Sequence, residues 1–100
     1  MPRLIPTNLF LKDLEKFRTN RALWKKILKG LSLLEKSPAH PGLRLERIVN
    51  DPTAWSARID QRYRLSFDPS AYHPAGNPDW NGDLTLLRLL DHDDLYKSPR

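Results

Sequence analysis

The sequence predicts an α+β fold: an N-terminal strand, a two-helix hairpin, a mostly antiparallel sheet of about four further strands, and a short C-terminal helical turn. Two observations support this prediction. Apolar residues recur at helical spacing in the first third of the chain, whereas residues 55–67 alternate between apolar and polar side chains. Since each pattern leaves one apolar face, a sheet backed by a helical hairpin is the economical way to bury both.

Composition limits the class of protein. A chain of 100 residues is expected to form one domain, residues 1–100. The 17 Lys and Arg against 12 Asp and Glu give a formal net charge of +5, which favours a polyanionic or acidic partner. The absence of cysteine excludes disulfides and Cys-based zinc sites. No apolar run approaches the roughly 20 residues of a membrane span, and the start lacks a signal peptide's apolar core, so we expect a cytoplasmic protein without a membrane partner.

The first elements follow from proline, capping residues and apolar spacing. Residues 3–5 form a short apolar run between prolines, which is typical of an edge strand. Thr7 or Asn8 can cap a helix over residues 9–18, and a second helix is expected over residues 21–35. Because only two or three residues separate the two helices, we expect them to fold back on each other.

Apolar positions predict which helix faces are buried. On the first helix Asp13 is expected to face outward, opposite an apolar stripe of Phe10, Leu14 and Phe17. On the second helix the apolar stripe is Trp24, Ile27, Leu28, Leu31 and Leu34. The basic side chains on its other side are Arg21, Lys25, Lys26 and Lys29.

A strand over residues 43–48 precedes two facing strands, residues 55–59 and 63–67. A three-residue loop between those two strands pairs Ala57 with Leu65 and keeps apolar side chains on one face, whereas a two-residue loop would mix the faces. Because register slips are penalised when one face is buried, we expect the three-residue loop. Arg58 then lies opposite Arg64 on the other face, where like charges repel unless a carboxylate or an anionic ligand neutralises them.

The remaining chain contains a long loop and a last strand. Residues 68–83 are rich in Pro and Gly and exceed ordinary hairpin loops, so this segment is functional, disordered or an insertion. Trp80 within it indicates a contact point or a loop folded onto the body, while Trp24 and Trp55 are interpreted as core. The last strand covers residues 84–90, and Asp91 or Asp93 is the candidate cap of the final helical turn.

Together these motifs resemble the RelE/ParE toxin superfamily. The resemblance is carried by W-S-A-R-I-x-x-x-Y-R-L-x-F over residues 55–67 and by H-D-D-L-Y over residues 92–96. The His-containing ending is closer to the YafQ-like branch than to RelE itself. The resemblance implies a RelE-like fold and the toxin of a bacterial type II toxin–antitoxin system, an mRNA endoribonuclease (mRNA interferase) that inhibits translation. An acidic antitoxin would bind it as a hetero-oligomer. The alternative is a non-catalytic member, or a ParE-like DNA gyrase inhibitor acting by protein binding.

The resemblance also implies roles for single residues. Arg64 matches the arginine that holds the phosphate near the scissile bond, and Arg58 a basic or polar residue that faces the substrate. His92 matches the catalytic histidine, and Tyr96 the aromatic residue that stacks on or orients the substrate. Histidine titrates near neutral pH and arginine donates two parallel hydrogen bonds, so the set suits attack of a ribose 2′-hydroxyl on its phosphate without a metal or other cofactor.

Other basic residues are candidates for contact with mRNA, free or on the ribosome: Arg62, Lys25, Lys26 and Lys29. Structural explanations remain open beside these functional ones. Arg58 and Arg64 can form salt bridges to Glu46, Asp60 or Asp68, and the lysines can form a solvated helix face. The acids around His92 are more typical of helix capping than of a metal site.

Overall fold

The computed structural model describes residues 2–100, and its elements occur in the order that the sequence predicts, which confirms the α+β class. They are strand β1 (Leu4–Pro6), helices α1 (Asn8–Glu15) and α2 (Arg21–Lys36), a 3₁₀ turn (Pro41–Leu43), strands β2 (Glu46–Arg47), β3 (Trp55–Arg58), β4 (Tyr63–Pro69) and β5 (Leu84–Asp91), and helix α3 (His92–Lys97). Over these residues, none of the helices combines the length and hydrophobicity that crossing a bilayer requires.

The five strands form one sheet in the order β1-β5-β4-β3-β2. β1 runs parallel to β5, and the other neighbours are antiparallel. The expected register of the β3–β4 hairpin is confirmed, since Ala57 faces Leu65 and Arg58 faces Arg64. The Ile59 amide donates to the Tyr63 carbonyl at 3.0 Å, which leaves residues 60–62 as the three-residue loop.

Two apolar clusters hold the layers together. The larger lies between the helices and the sheet; its buried members are Phe10, Leu23, Ile27, Leu34, Leu43, Ala57, Leu65, Phe67, Leu84, Leu86 and Leu89. Full burial of a Leu, Ile or Phe side chain contributes about 1.5–3 kcal/mol, so this cluster is the main source of stability. The smaller cluster consists of Ile48, Ala54, Leu87 and Leu95.

The chain after β5 covers the second face of the sheet. Ser56 and Ser66 alternate with Ala57 and Leu65 and therefore face away from the helices. Both serines are buried. The Tyr96 hydroxyl lies 3.1 Å from the Ser56 hydroxyl, and Ser66 donates to the Pro99 carbonyl at 2.5 Å. Helix α3 and residues 98–100 thus lie across the face opposite α1 and α2.

The buried stripe of α2 differs from the expected one. Its buried residues are Leu23, Ile27, Gly30 and Leu34. Leu28 is 49% exposed and Trp24 only half-buried, so the prediction that both belong to the core stripe is wrong. The cause is a close approach between α2 and the end of β3, since a Cβ at Gly30 would lie 2.7 Å from Ile59 Cδ1. With Gly30 on the buried side of α2, Trp24 and Leu28 lie away from the centre of that side.

Asp13 is buried rather than outward, contrary to the expectation, with 1% of its surface exposed. Its carboxylate accepts from Arg88 Nε at 2.7 Å and Nη2 at 3.1 Å, and from the Leu89 amide at 3.0 Å. β1 pairs with β5 only over the three residues from Leu84 to Leu86, so the edge of β5 beyond them lacks a strand partner. Asp13 supplies the acceptor that a neighbouring strand would otherwise provide.

The strand expected over residues 43–48 is much shorter. The Pro41–Leu43 turn comes first, and Arg44 adopts a left-handed conformation with φ +44°. That conformation interrupts an extended chain, so β2 is confined to Glu46 and Arg47.

The long loop between β4 and β5 is folded onto the body. Trp80 packs edge-to-face on Trp55 with ring centres 5.0 Å apart and lies 5.9 Å from the Phe67 ring. Tyr72 and Pro78 form an isolated β-bridge within the loop. Of the two interpretations of Trp80, a loop folded on the sheet is therefore the one observed, and Trp55 packs against the core as expected.

Residues near the C-terminal end form a charged network. The Arg100 guanidinium donates to both oxygens of Asp51 at 2.6 and 2.9 Å and to Asp68 at 2.9 and 3.0 Å. Asp51 also accepts from the amides of Thr53 and Ala54. Chiefly because of the Arg100 hydrogen bonds, the pKa of the Asp51 carboxyl lies well below its usual range.

Replacing Asp13 by Ala should destabilise the fold. Removal of one partner from a buried ion pair leaves Arg88 and the Leu89 amide without their acceptor, at a cost of about 3 kcal/mol. Urea unfolding at neutral pH measures this loss. Glu15→Ala is the matched control, because Glu15 pairs with Arg18 on the open surface and its loss should change the unfolding free energy little. Equal midpoints for both variants would contradict the role of Asp13.

Arg100→Gln should reduce stability at neutral pH and make it less sensitive to acid. Asp51 has a lowered pKa in the folded state, so its contribution is present above its unfolded pKa of about 3.9 and is lost as pH falls through the lower folded value. Urea midpoints from pH 7 to pH 2 should show the wild type and the variant converging at low pH. Arg3→Gln, which breaks the exposed Arg3–Asp83 pair, is the control. A constant difference at all pH values would refute this linkage.

Candidate functional site

The hairpin loop and the start of α3 meet at one end of the sheet. Tyr63 pairs with Asp91 in the β4–β5 ladder, and the His92 amide donates to the Arg62 carbonyl at 2.7 Å. Asp91 is the N-cap of α3, as the sequence suggested, since its side chain accepts from the Asp93 amide at 3.0 Å. This cap turns the chain sharply, so His92 leaves the strand beside the loop that carries Arg62.

A cavity of about 460 Å³ opens where these segments meet; it is lined by Gln61, Arg62, Arg64, Asp91, His92 and Asp93. The structure therefore brings together three residues that the sequence singled out, His92, Arg64 and Arg62. These residues converge because β4 pairs with the end of β5, which places Arg62 and Arg64 near Asp91. Helix α3 begins directly after β5, so His92 lies at the same end of the sheet. Gln61 was not singled out, because a loop glutamine carries no pattern that distinguishes it.

Arg64 presents an available guanidinium to this cavity. Its Nη1 donates to the carbonyl oxygens of Tyr63, at 3.0 Å, and of Asp60. Within residues 2–100 neither Arg64 nor Arg58 forms the salt bridge to Glu46, Asp60 or Asp68 that the structural explanation requires. The carbonyl bonds orient Arg64 without neutralising it, so its Nε and Nη2 can donate to an anion.

Arg62 is held by an acid of the same cavity. Its Nε donates to Asp91 at 2.9 Å. This hydrogen bond, followed by that from the Asp93 amide, lowers the pKa of the Asp91 carboxyl. An anion that binds Arg62 must therefore compete with Asp91, which distinguishes Arg62 from Arg64.

The side chain of His92, the first residue of α3, is 45% exposed and lines the cavity. Its Nδ1 lies 3.2 Å from Asp93 Oδ1, and its ring packs edge-to-face on Tyr96 with centres 4.5 Å apart. A carboxylate only accepts, so Nδ1 carries the hydrogen and the neutral ring leaves Nε2 as an acceptor. An accessible acceptor of this kind can take a proton from a bound hydroxyl.

Tyr96 lies beside the cavity and supports its histidine. The Tyr96 hydroxyl donates to Glu46 at 3.1 Å and lies 3.1 Å from the Ser56 hydroxyl. Its ring packs edge-to-face with the His92 ring, while its hydroxyl contacts Glu46 of β2 and Ser56 of β3. Sequence reasoning did not connect Glu46 with this group, because the two residues are 50 positions apart and no periodic pattern links them.

The other basic candidates lie elsewhere. Arg58, Lys26 and Lys29 line a second cavity of about 250 Å³ between α2 and the end of β3, not the cavity of His92. Arg58 does not line the cavity of His92, although it is the cross-strand partner of Arg64, which does. Lys25 borders a third surface cavity, beside Trp24.

No group of three or more His, Cys, Asp or Glu side chains with a geometry suited to a metal ion occurs in the described part of the chain, residues 2–100. The three acids near His92 therefore do not form such a cluster. Asp91 caps α3 and Asp93 contacts the imidazole.

The chain has the fold of the RelE/ParE-type toxins. It superposes on the YoeB/ParE toxin from Agrobacterium tumefaciens with a TM-score of 0.67 and 21% identity, covering 92% of this chain and 99% of that one. It is similar to the E. coli DinJ–YafQ toxin–antitoxin complex, with a TM-score of 0.69, 12% identity and coverage of 94% and 96%. It is also similar to a heterotetrameric YoeB–YefM toxin–antitoxin complex from Staphylococcus aureus, with a TM-score of 0.65 and 18% identity. That superposition covers 92% of this chain and 98% of the other. These likenesses confirm the RelE-like fold.

No known family profile matches the sequence, and no curated protein matches it significantly. The chain therefore shares the fold of these toxins at a sequence identity of 12–21%. At so low an identity, the site residues are compared by their positions in the fold rather than by sequence.

Arg62→Gln should raise the pKa of Asp91. The largest cause of its lowered value is the Arg62 hydrogen bond, so losing the guanidinium brings the pKa towards the usual value for aspartate, while the Asp93 amide retains part of the shift. Carboxyl-carbon NMR titration of wild type and variant measures the change. Arg3→Gln, which removes an arginine paired with Asp83 rather than with Asp91, is the control. An unchanged Asp91 titration in the Arg62 variant would show that the pair does not form in solution.

Proposed function

We propose that this chain is the toxin of a bacterial type II toxin–antitoxin system and acts in the cytoplasm as an mRNA endoribonuclease. The observation that carries the proposal is that Arg64 and His92 border one open cavity at the end of a RelE/ParE-type sheet. One side chain offers charged donors and the other a proton acceptor, and RNA cleavage next to a 2′-hydroxyl needs both.

In the proposed reaction His92 Nε2 removes the proton from a ribose 2′-hydroxyl. The oxygen attacks the adjacent phosphorus, the bond to the 5′-oxygen breaks, and a 2′,3′-cyclic phosphate remains while the leaving oxygen takes a proton from water. Arg64 donates to the non-bridging oxygens, where negative charge develops in the transition state. Tyr96 keeps the imidazole in place through its ring contact. The proposed reaction uses no metal ion.

The same proposal includes a protein partner. Two of the structural neighbours were crystallised as toxin–antitoxin complexes. A chain with a net charge of +5 fits an acidic antitoxin, which would bind it as a hetero-oligomer and shield the basic surface. Co-expression with a small acidic protein from the adjacent reading frame tests this: the pair should purify together and growth should recover.

A second candidate function is a non-catalytic binding protein such as a gyrase inhibitor. The observation that favours it is the charge balance of the cavity, where Asp91 binds Arg62 and Asp93 contacts His92. Expression in a bacterial host separates the two functions. Translation arrest with cut mRNA indicates the nuclease, whereas filamentation with DNA damage indicates the gyrase inhibitor.

His92→Ala and Arg64→Ala should each lower the rate of RNA cleavage by about 100-fold or more, the usual loss on removing a general base or a transition-state donor. Gel assays of a defined RNA, alone and with ribosomes, measure the rates. His73→Ala and Arg21→Ala are matched controls, because both residues are exposed and neither borders the cavity. Wild-type rates in both site variants, with cleavage present, would remove these residues from the mechanism.

A further inference from the structure

The second cavity has the character of an anion site. It lies between α2, the Pro41–Leu43 turn and the end of β3, and its charged or polar lining consists of Lys26, Lys29, His40, Arg58 and Asp60. Three cations therefore face one carboxylate. Lys29 and Arg58 have no ion-pair partner among residues 2–100, and Lys26 approaches Asp60 only at 3.8 Å.

The single carboxylate of this cavity is already engaged in the hairpin loop. Asp60 Oδ1 accepts from the amides of Arg62 and Tyr63 at 2.9 and 2.7 Å. These bonds hold Asp60 to the loop and spread part of its charge over backbone donors. The cations of the cavity are consequently under-neutralised, and a mobile anion is the natural counter-charge.

His40 adds a hydrogen-bond donor to the lining of the same cavity. Its Nδ1 accepts from the Gly42 amide at 3.0 Å, so in the neutral ring the hydrogen resides on Nε2. A phosphate oxygen can accept from such an N–H as well as from lysine and arginine. Gly30 and Ile59, where α2 lies close to the end of β3, line the same cavity.

The first cavity lacks this excess of positive charge. There Arg62 and Arg64 face Asp91 and Asp93, so cations and carboxylates are equal in number. A polyanionic substrate would gain little net attraction from that cavity alone. The two cavities share the β3–β4 loop, since Asp60 lines the second and its carbonyl accepts from Arg64, which lines the first.

We propose that the cavity of Lys26, Lys29, His40 and Arg58 binds a phosphodiester group of the RNA chain that flanks the one cleaved at His92. This inference rests on the proposed nuclease function for the identity of the ligand. It assigns Arg58 to holding the substrate at a distance from the scissile bond. The affinity for RNA then comes mainly from the second cavity and the chemistry from the first.

Titration with inorganic phosphate tests the site without any need for cleavage. Amide resonances of Gly42 and Ile59 should shift saturably in two-dimensional NMR spectra, and Lys29→Gln should weaken the response at least several-fold. Lys29 is an exposed helix residue, so this variant retains the fold. Lys36→Gln, on the same helix and outside the cavity, is the matched control. Absence of saturable shifts at Gly42 and Ile59, or equal responses in the two variants, would overturn the site.

A second experiment separates an RNA phosphodiester from free phosphate as the ligand. A 2′-deoxy-substituted single-stranded oligonucleotide cannot be cleaved, and its binding is followed by fluorescence anisotropy between 50 and 200 mM salt, the range where phosphate contacts dominate. In the Lys29→Gln/Arg58→Gln double variant the slope of log affinity against log salt should fall by about 0.7, because one phosphate of the strand is no longer neutralised. An unchanged slope would overturn the assignment to RNA, even with phosphate bound.

The outcomes for the two proposals are distinguishable. If wild-type protein cleaves no RNA yet shows both the phosphate shifts and the change in slope, the nuclease proposal fails and the anion site stands. If wild-type protein cleaves RNA and the double variant keeps both the slope and the KM, the nuclease stands and the inference is wrong.

Discussion

The buried Asp13 carboxylate joins helix α1 to strand β5. It accepts hydrogen bonds from the Arg88 side chain and from the Leu89 amide. β1 is too short to pair along the whole of β5, so a helix must cover the rest of that edge. A carboxylate is the side chain that can satisfy both a guanidinium and a backbone amide there. With β5 held in this way, its far end delivers Asp91 and His92 to the hairpin loop.

The second face of the sheet explains why the candidate site lies at an end of the strands. Helix α3 and the residues after it cover Ser56 and Ser66, and the other helices cover the opposite face. Neither face is therefore free to serve as a broad platform for a ligand. Openings remain where elements stop, at the β3–β4 loop and the start of α3, and Arg58, Arg62 and Arg64 line them.

Local patterns predicted well what depends on neighbouring residues. Alternation over residues 55–67 was enough to predict the hairpin register and hence the Arg58–Arg64 pair, because one wrong step would have exposed the apolar face. The orientation of Asp13 could not be predicted, since its partner Arg88 is 75 positions away. The place of Arg58 in a cavity with Lys26 and Lys29 was equally hidden, because it depends on the packing of α2 beside β3, which is distant in sequence.

That close packing has a consequence for the dimensions of the molecule. In an isolated helix an interior glycine is less favourable than alanine by about 1 kcal/mol. Gly30 therefore lowers the intrinsic stability of helix α2. A methyl group there would meet Ile59 Cδ1 at 2.7 Å, so the Ile59 side chain would have to shift. Lys29 sits next to this glycine in sequence, and Arg58 next to Ile59. An alanine at position 30 would therefore change the packing between these two cations without altering any charge.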